Sequence, residues 1–446
     1  MIKISVIMPS LNVVEYIDEC IQSVINQTLK EIEIICVDAG SIDGTYEKLL
    51  KYAELDSRIR IIVSDVKSYG KQINTGIQQA QGKYIGIVET DDFIDSDMYE
   101  QLYELSEKYE LEFIKGDYDA IYRNPDNTYT MIPTRMFDKH LASFYNQILS
   151  PANMPILHEL GLNIWRGIYR KDFLVNSNIY LNETKGAAFQ DTAFYHQIIM
   201  KSHRAMFVEN LYYKYRQDRE ESSFKNPNTL IYTYDEYREL IDRYRHDENV
   251  SPLHWHYIYV KMLREYVKHM KNYIITHNYN ENSLIEISDK IEWFNYEINN
   301  AIENGMLRQT DFSAEIWKDY SMIRQSVRLF AELVKTRMNE ENIIIRNFWK
   351  DIENRNIIVF GIGTYGKNVS GILYLHGYSI SAYCDNNETV HEFMGKKVYQ
   401  PEQAITLFED AVFIVASKLY ADDMKRQLEA LGVDYNRIKK YNTIIN

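Results

Sequence analysis

The chain has 446 residues, too long for one ordinary hydrophobic core, so two or three domains are expected. Its 45% apolar composition suits a folded protein, and its formal net charge of −14 argues against nucleic acid as the main partner, because phosphate backbones call for a basic surface. There is no apolar run of the roughly 18 residues that cross a membrane, no signal-peptide pattern at the start, and Cys20, Cys36 and Cys384 form neither a disulfide framework nor a zinc pattern.

The elements begin with a β-rich run, Ile4–Met8, that stops at Pro9. Glu15–Gln27 follows, with Tyr16, Ile17, Cys20, Ile21, Val24 and Ile25 on one helical stripe. Ile32–Val37 reads as a buried strand, Thr45–Ala53 as a helix, Ile59–Val63 as a strand, Lys71–Ala80 as a helix and Tyr84–Val88 as a fourth strand. This alternation predicts a parallel sheet covered on both faces, with its ligand crevice beyond the carboxyl ends of the strands. From about Asn228 to Trp349 the pattern changes to long helices, carried by Tyr259, Met262, Leu263, Tyr266, Val267 and Met270 and then by Ile323, Val327, Phe330 and Val334. A second α/β region opens at Ile357–Phe360 and continues with strands at Ser379–Cys384 and Ala411–Ala416. The expected division is 1–225, 226–352 and 353–446.

Polar residues crowd the ends of the first domain's strands. Strand one ends in Pro9-Ser10-Leu11-Asn12, strand two in Asp38-Ala39-Gly40-Ser41-Ile42-Asp43-Gly44-Thr45, and strand four in Glu89-Thr90-Asp91-Asp92. Three carboxylates in four residues repel one another, and a hard divalent cation, Mn²⁺ or Mg²⁺, relieves that repulsion with oxygen ligands. The competing reading is an acidic turn with Asp92 capping the next helix; the other strand ends favour the cation.

With these motifs the sequence resembles the family-2 glycosyltransferases of the GT-A fold. Asn12, Tyr16, Ser23, Gln27-Thr28 and Val37–Thr45 stand at the family's spacings, and the likeness runs over about Ile2–Ser223. The resemblance implies a nucleotide-diphospho-sugar donor, a UDP-sugar for preference, and a saccharide or lipid-linked saccharide acceptor. It places Pro9, Ser10, Asn12, Asp38, Lys71, Asp91 and Arg216 on the donor, with Asp38 reading the base. Glu89, Asp91 and Asp92 fall at the metal, Trp165 at the acceptor, and Asp191 at the general base of an inverting transfer. The chain departs from the family at Ala39, Glu89, Ile73 and Gln190, which stand where Asp, Asp, Arg and an acid are usual. Asp191 has a structural alternative as a helix N-cap, and Arg216 has one as an ion-pair partner.

Gly361-x-Gly363-x-x-Gly366 lies between a strand and a helix, with Asp385 about 20 residues on, the context of a second nucleotide site. The region after Asp385 is short for a complete dinucleotide fold. A small Rossmann-like module is expected, with no redox chemistry. The rival functions are a dinucleotide-dependent oxidoreductase centred on that loop and a catalytically silent nucleotide-sugar-binding protein. His254 and His256, two apart on a helix, point to different faces and make no metal pair. Ile343–Lys350 is weighed as a membrane contact against a buried linker helix, with the linker preferred, and the helical region is a candidate for self-association. The expected location is cytoplasmic, free or at the inner face of the membrane.

Overall fold

The computed structural model describes residues 1–123, 128–137, 140–161, 163–217, 226–417 and 419–440; the side chains of 340–346 lie outside the description. The chain forms two compact units, residues 1–119 with 133–334, and residues 120–132 with 335–446.

The first half supplies β1 (Ile4–Ser10), α1 (Ile17–Ile25), β2 (Ile32–Asp38), α2 (Thr45–Leu55), β3 (Ile59–Val63), α3 (Tyr69–Gln79), β4 (Tyr84–Ile87), β5 (Phe93–Ile94) and α4 (Met98–Tyr109). There follow β6 (Phe113–Arg123), β7 (Tyr129–Thr134), β8 (Gly167–Arg170), α5 (Lys171–Asn176), α6 (Asp191–Lys201) and β9 (Ala205–Arg216). The sheet is nine-stranded, in the order β3-β2-β1-β4-β8-β6-β9-β5, with β7 on β6. β1 and β2 are buried along their whole length, which is why they read as unbroken apolar runs rather than alternating ones. β3, β2, β1 and β4 run parallel, and β8 pairs with β4 antiparallel, Gly86 opposite Ile168. This is the GT-A-like α/β transferase fold. The crevice lies where the parallel half meets the antiparallel half, beyond the end of β4.

The same unit holds α7 (Thr229–Tyr244), α8 (Pro252–Thr276), α9 (Glu281–Glu286), α10 (Ser288–Glu303) and α11 (Ala314–Gln325), and α7 packs on α6. His254 and His256 do face different surroundings: His254 is buried against His158, while His256 Nδ1 lies 2.7 Å from the carbonyl of Met306.

α12 (Val327–Ile352) leads to the second sheet. Its elements are β10 (Ile357–Phe360), α13 (Thr364–Leu375), β11 (Ala382–Cys384), β12 (Glu392–Phe393), β13 (Lys396–Tyr399), α14 (Pro401–Leu407), β14 (Val412–Val415), α15 (Ala421–Ala430) and β15 (Ile438–Lys440). The strand order is β12-β13-β11-β10-β14-β15, parallel except for β12. No helix among the described residues is long and apolar enough to cross a membrane. The side chains of Ile343–Arg346, in the segment weighed as a membrane contact, and Ser222-Ser223, at the end of the stretch that resembles the family, lie outside the described residues.

Candidate active site

The ends of β1 and β2 are tied into one loop system. Asn12 adopts φ 53°, a left-handed conformation that Asn tolerates, and from there its side-chain oxygen accepts the N–H of Ile42 at 2.9 Å. Its own N–H donates to Ser41 Oγ. Asp38, 1% exposed, accepts the N–H groups of Gly40 and Ser41 at 2.9 Å and the hydroxyl of Ser41. The donors on Asp38 therefore come from its own loop, which it shapes. Gln72 of α3 donates to the carbonyls of both Ser10 and Val37, and Thr90 donates to the carbonyl of Pro9. Gln72 gave no signal in the sequence, because an amide on an apolar helix face has no motif.

After β4, ligand atoms of Glu89, Asp91 and Asp92 lie within 4.8 Å of one another. Asp92 is 1% exposed and accepts from Tyr213 Oη at 2.9 Å and from the N–H of Arg216 at 2.7 Å. Burial, then the charges of Asp91 and Glu89, push its carboxyl well above the usual range. The cluster is thus an acidic focus that favours a cation, and its three hard carboxylates fit a divalent metal. Arg216 Nε donates to the carbonyl of Asp91 and its Nη2 pairs with Glu19 at 2.8 Å, so the structure displays the ion-pair alternative for this side chain. Lys71 pairs with Glu183 at 3.2 Å. Trp165, expected at the acceptor, is 3% exposed and stacks on Tyr213 and Tyr215 with ring centroids 4.0 and 4.9 Å apart. It braces the tyrosine that holds Asp92.

Asp191 is the first residue of α6, not its N-cap, which is Gln190. The orphan N–H of Ala193 in that first turn is taken instead by Glu236 of α7 at 3.2 Å, whose other oxygen accepts from Asn182. Asp191 is half-buried, and burial raises its carboxyl to about 6; Glu265 adds to the rise, while Lys115 and Lys261 oppose it. Just before it, Phe189 sits at φ 64°, a strained conformation for an aromatic residue. Tyr69 links the two acidic centres: its hydroxyl donates to Glu89 Oε1 at 3.1 Å, and both Glu89 and Asp191 act on it electrostatically.

Residues 5–167 match the family described as glycosyl transferase family 2. Over this stretch the chain is similar to that family. The chain is 30% identical over 233 residues to "Uncharacterized glycosyltransferase EpsJ" of Bacillus subtilis (strain 168), covering 51% of this chain and 62% of that protein. It is 29% identical over 222 residues to "Uncharacterized glycosyltransferase YibD" of Escherichia coli (strain K12), covering 48% and 61%. The matches thus span somewhat less than two thirds of those relatives. A solved structure of S. aureus TarS 1-349 in complex with UDP-GlcNAc is similar at 16% identity and TM-score 0.49, covering 76% of this chain and 92% of that one. Further along the chain, residues 353–439 match the family "C2185-like, N-terminal".

In that C-terminal region Gly361 has φ 109°, and a Cβ on Gly366 would lie 2.1 Å from the carbonyl oxygen of Gly361, so the turn needs both glycines. Gly363 faces open space. Asp385 accepts the N–H of Ile362 at 3.1 Å and that of Asn387 at 2.9 Å, which joins the end of β11 to the glycine turn.

Proposed function

We propose that the protein is an inverting glycosyltransferase that moves a sugar from a nucleoside-diphosphate donor, a UDP-sugar for preference, to a saccharide or lipid-linked saccharide acceptor. The observation that carries this reading is the pairing, across Tyr69, of an acidic cluster at the end of β4 with a half-buried carboxylate at the start of α6.

Glu89, Asp91 and Asp92 are the residues that would hold Mn²⁺ or Mg²⁺, which when bound neutralises charge growing on the departing diphosphate. Asp191 removes the proton of the acceptor hydroxyl as that oxygen attacks the anomeric carbon. The C–O bond to the diphosphate breaks on the opposite side, and the leaving group keeps the electron pair. A carboxyl raised to about 6 suits this work, because it is ionised at neutral pH and still basic enough to take a proton. No covalent sugar–enzyme intermediate is needed. Asn12, Asp38 and Gln72 keep the loops that face the donor in register.

The three-part division at 225 and 352 and a nucleotide-binding, non-redox role for the Gly361 turn belong to the same proposal. Incubation of the full chain with a panel of nucleotide sugars and Mn²⁺ tests it. Release of free nucleotide that depends on both metal and Asp191 supports the reading; no turnover with any donor, alongside hydride transfer from a nicotinamide cofactor, would replace it with the oxidoreductase.

A further inference from the structure

Arg166 enters β8 beside the end of β4, and its carbonyl accepts the N–H of Gly116 from β6 at 2.9 Å. This is the sheet position of the crevice. The residue is 2% exposed, its Nε is buried without a partner, and no hydrogen bond or ion pair of its guanidinium is found among the described residues. The guanidinium lies over the face of Tyr118, 5.6 Å from the ring centroid. A ring face compensates a desolvated guanidinium far less than an anion does.

Two further cations, Lys115 and Lys261, hydrogen-bond to carbonyls and form no ion pair among the described residues, although Asp191 acts on both electrostatically. Lys115, fully buried, donates to the carbonyl of Asn163 at 2.6 Å. Lys261 donates to the carbonyls of His158 and Leu160. Arg166 and Asp191 both act on Lys115, and Arg166 and Asp92 both act on Tyr118. The guanidinium thus has one electrostatic neighbour in common with the proposed base and one in common with the acidic cluster. Among the described residues no acidic side chain forms an ion pair with it.

We propose that Arg166 anchors an oxyanion site, which takes a phosphate group of a substrate between the acidic cluster and Asp191. The proposal rests on the glycosyltransferase reading only for what carries the phosphate. Two carriers share this chemistry, the donor's diphosphate and a phosphate on a lipid-linked acceptor. A planar guanidinium suits either, because it gives two parallel N–H donors to one phosphate.

The test uses the full chain and calorimetric titration with inorganic pyrophosphate in EDTA, so that the acidic cluster contributes nothing through a metal. Wild type binds, Arg166→Met binds at least about ten-fold more weakly, and Arg166→Lys recovers part of the loss. Without ligand, Arg166→Met melts at the same temperature as wild type or higher, because a buried unpaired charge is gone. Arg166→Gln serves if the Met variant does not fold. No binding to wild type, or equal binding to wild type and the variants, would overturn the proposal. UDP with Mn²⁺ then identifies the carrier: weaker binding in Arg166→Met assigns the donor's diphosphate, and unchanged binding assigns the acceptor's phosphate. If wild type fails to bind UDP with Mn²⁺ while the pyrophosphate difference persists, the oxyanion site stands and the glycosyltransferase reading falls.

Discussion

The side-chain oxygen of Gln190 accepts the N–H of Gly70 at 2.7 Å, while its amide nitrogen donates to the carbonyl and the hydroxyl of Thr184. One buried amide thus fastens the start of α3 to the start of α6. Around it, Tyr69 N–H donates to Gly186, Gly186 N–H to Lys67, and Leu181 N–H to Asn74 Oδ1. The strained turn at Phe189 and the orientation of Asp191 depend on this seam. The departure from an acid at position 190 has a physical reason: the site offers a donor at Gly70 and an obligate acceptor at the Thr184 carbonyl, which an amide satisfies and a carboxylate does not.

Gln190→Glu should therefore lower transfer by about ten-fold or more at pH 8, where the new carboxylate faces the carbonyl of Thr184. The deficit should shrink towards pH 5.5 as the carboxyl takes a proton and regains a donor. A ratio of variant to wild-type rates that is flat across this range would show that the seam does not orient the site.

Transfer by wild type should rise with pH through about 6, since Asp191 acts as a base only when ionised and its carboxyl is raised to about 6. Glu265→Gln removes a charge that contributes to this rise, so the rising limb should move to lower pH. Asp191→Asn should lose about 10²-fold or more in rate and keep metal-dependent UDP binding. Near-normal transfer by the Asn variant would mean that another group takes the proton.

Asp91 and Asp92 should separate by stability. Asp91→Asn is expected to lose metal-dependent UDP binding with little change in melting. Asp92→Ala removes the acceptor of the buried Tyr213 hydroxyl and of the Arg216 N–H, and should cost about 1–3 kcal/mol in addition. Calorimetry with and without Mn²⁺, together with melting curves, decides between this ordering and its reverse.

Two glycines give a matched pair. A Cβ on Gly70 would lie 1.8 Å from the carbonyl oxygen of Asn182, and one on Gly363 would meet nothing within 4 Å. Gly70→Ala should cost about 1–3 kcal/mol of stability, while Gly363→Ala should melt like wild type. Equal melting of the two variants would mean that the seam at residues 181–190 yields without cost.

His158, His196 and His254 form a buried chain. His254 Nε2 lies 2.9 Å from the carbonyl of Ala152, His158 Nε2 2.8 Å from His254 Nδ1, and His196 Nδ1 2.8 Å from His158 Nδ1. A carbonyl only accepts, so neutral rings donate in sequence towards it, which leaves His196 Nε2 bare and unpartnered. Burial holds all three imidazoles below their usual range. The unfolded rings gain protons near pH 6.5 and the folded ones do not. The stabilisation is therefore complete above that pH and declines as pH falls, by roughly 1.4 kcal/mol per pH unit for each ring. Asp191 and Glu236, raised to about 6 and about 8, act with the opposite sign below those values, where the fold keeps them protonated and the unfolded chain does not. The histidine part is isolated by His254→Gln, which should reduce proton uptake on unfolding at pH 5.5, measured calorimetrically in two buffers. An unchanged uptake would show that His254 is already protonated in the fold.

The sequence by itself determined the parallel half of the first sheet, because strands buried on both faces must be unbroken apolar runs and helices between them must show a 3.6-residue stripe. It also determined the acidic cluster, since Glu89, Asp91 and Asp92 are neighbours in the chain and their mutual repulsion is local. What joins distant segments was decided only by tertiary structure. Tyr69 meets Glu89, Gly70 meets Gln190, and Glu236 caps the helix that begins at Asp191, across 20, 120 and 43 residues of chain. Such contacts leave no periodicity and no spacing to read, because the partner is chosen by where the folded backbone returns. The same holds for Arg166. In the sequence it is one basic residue beside a tryptophan, and only the folded sheet shows that it is buried with no carboxylate paired to it among the described residues.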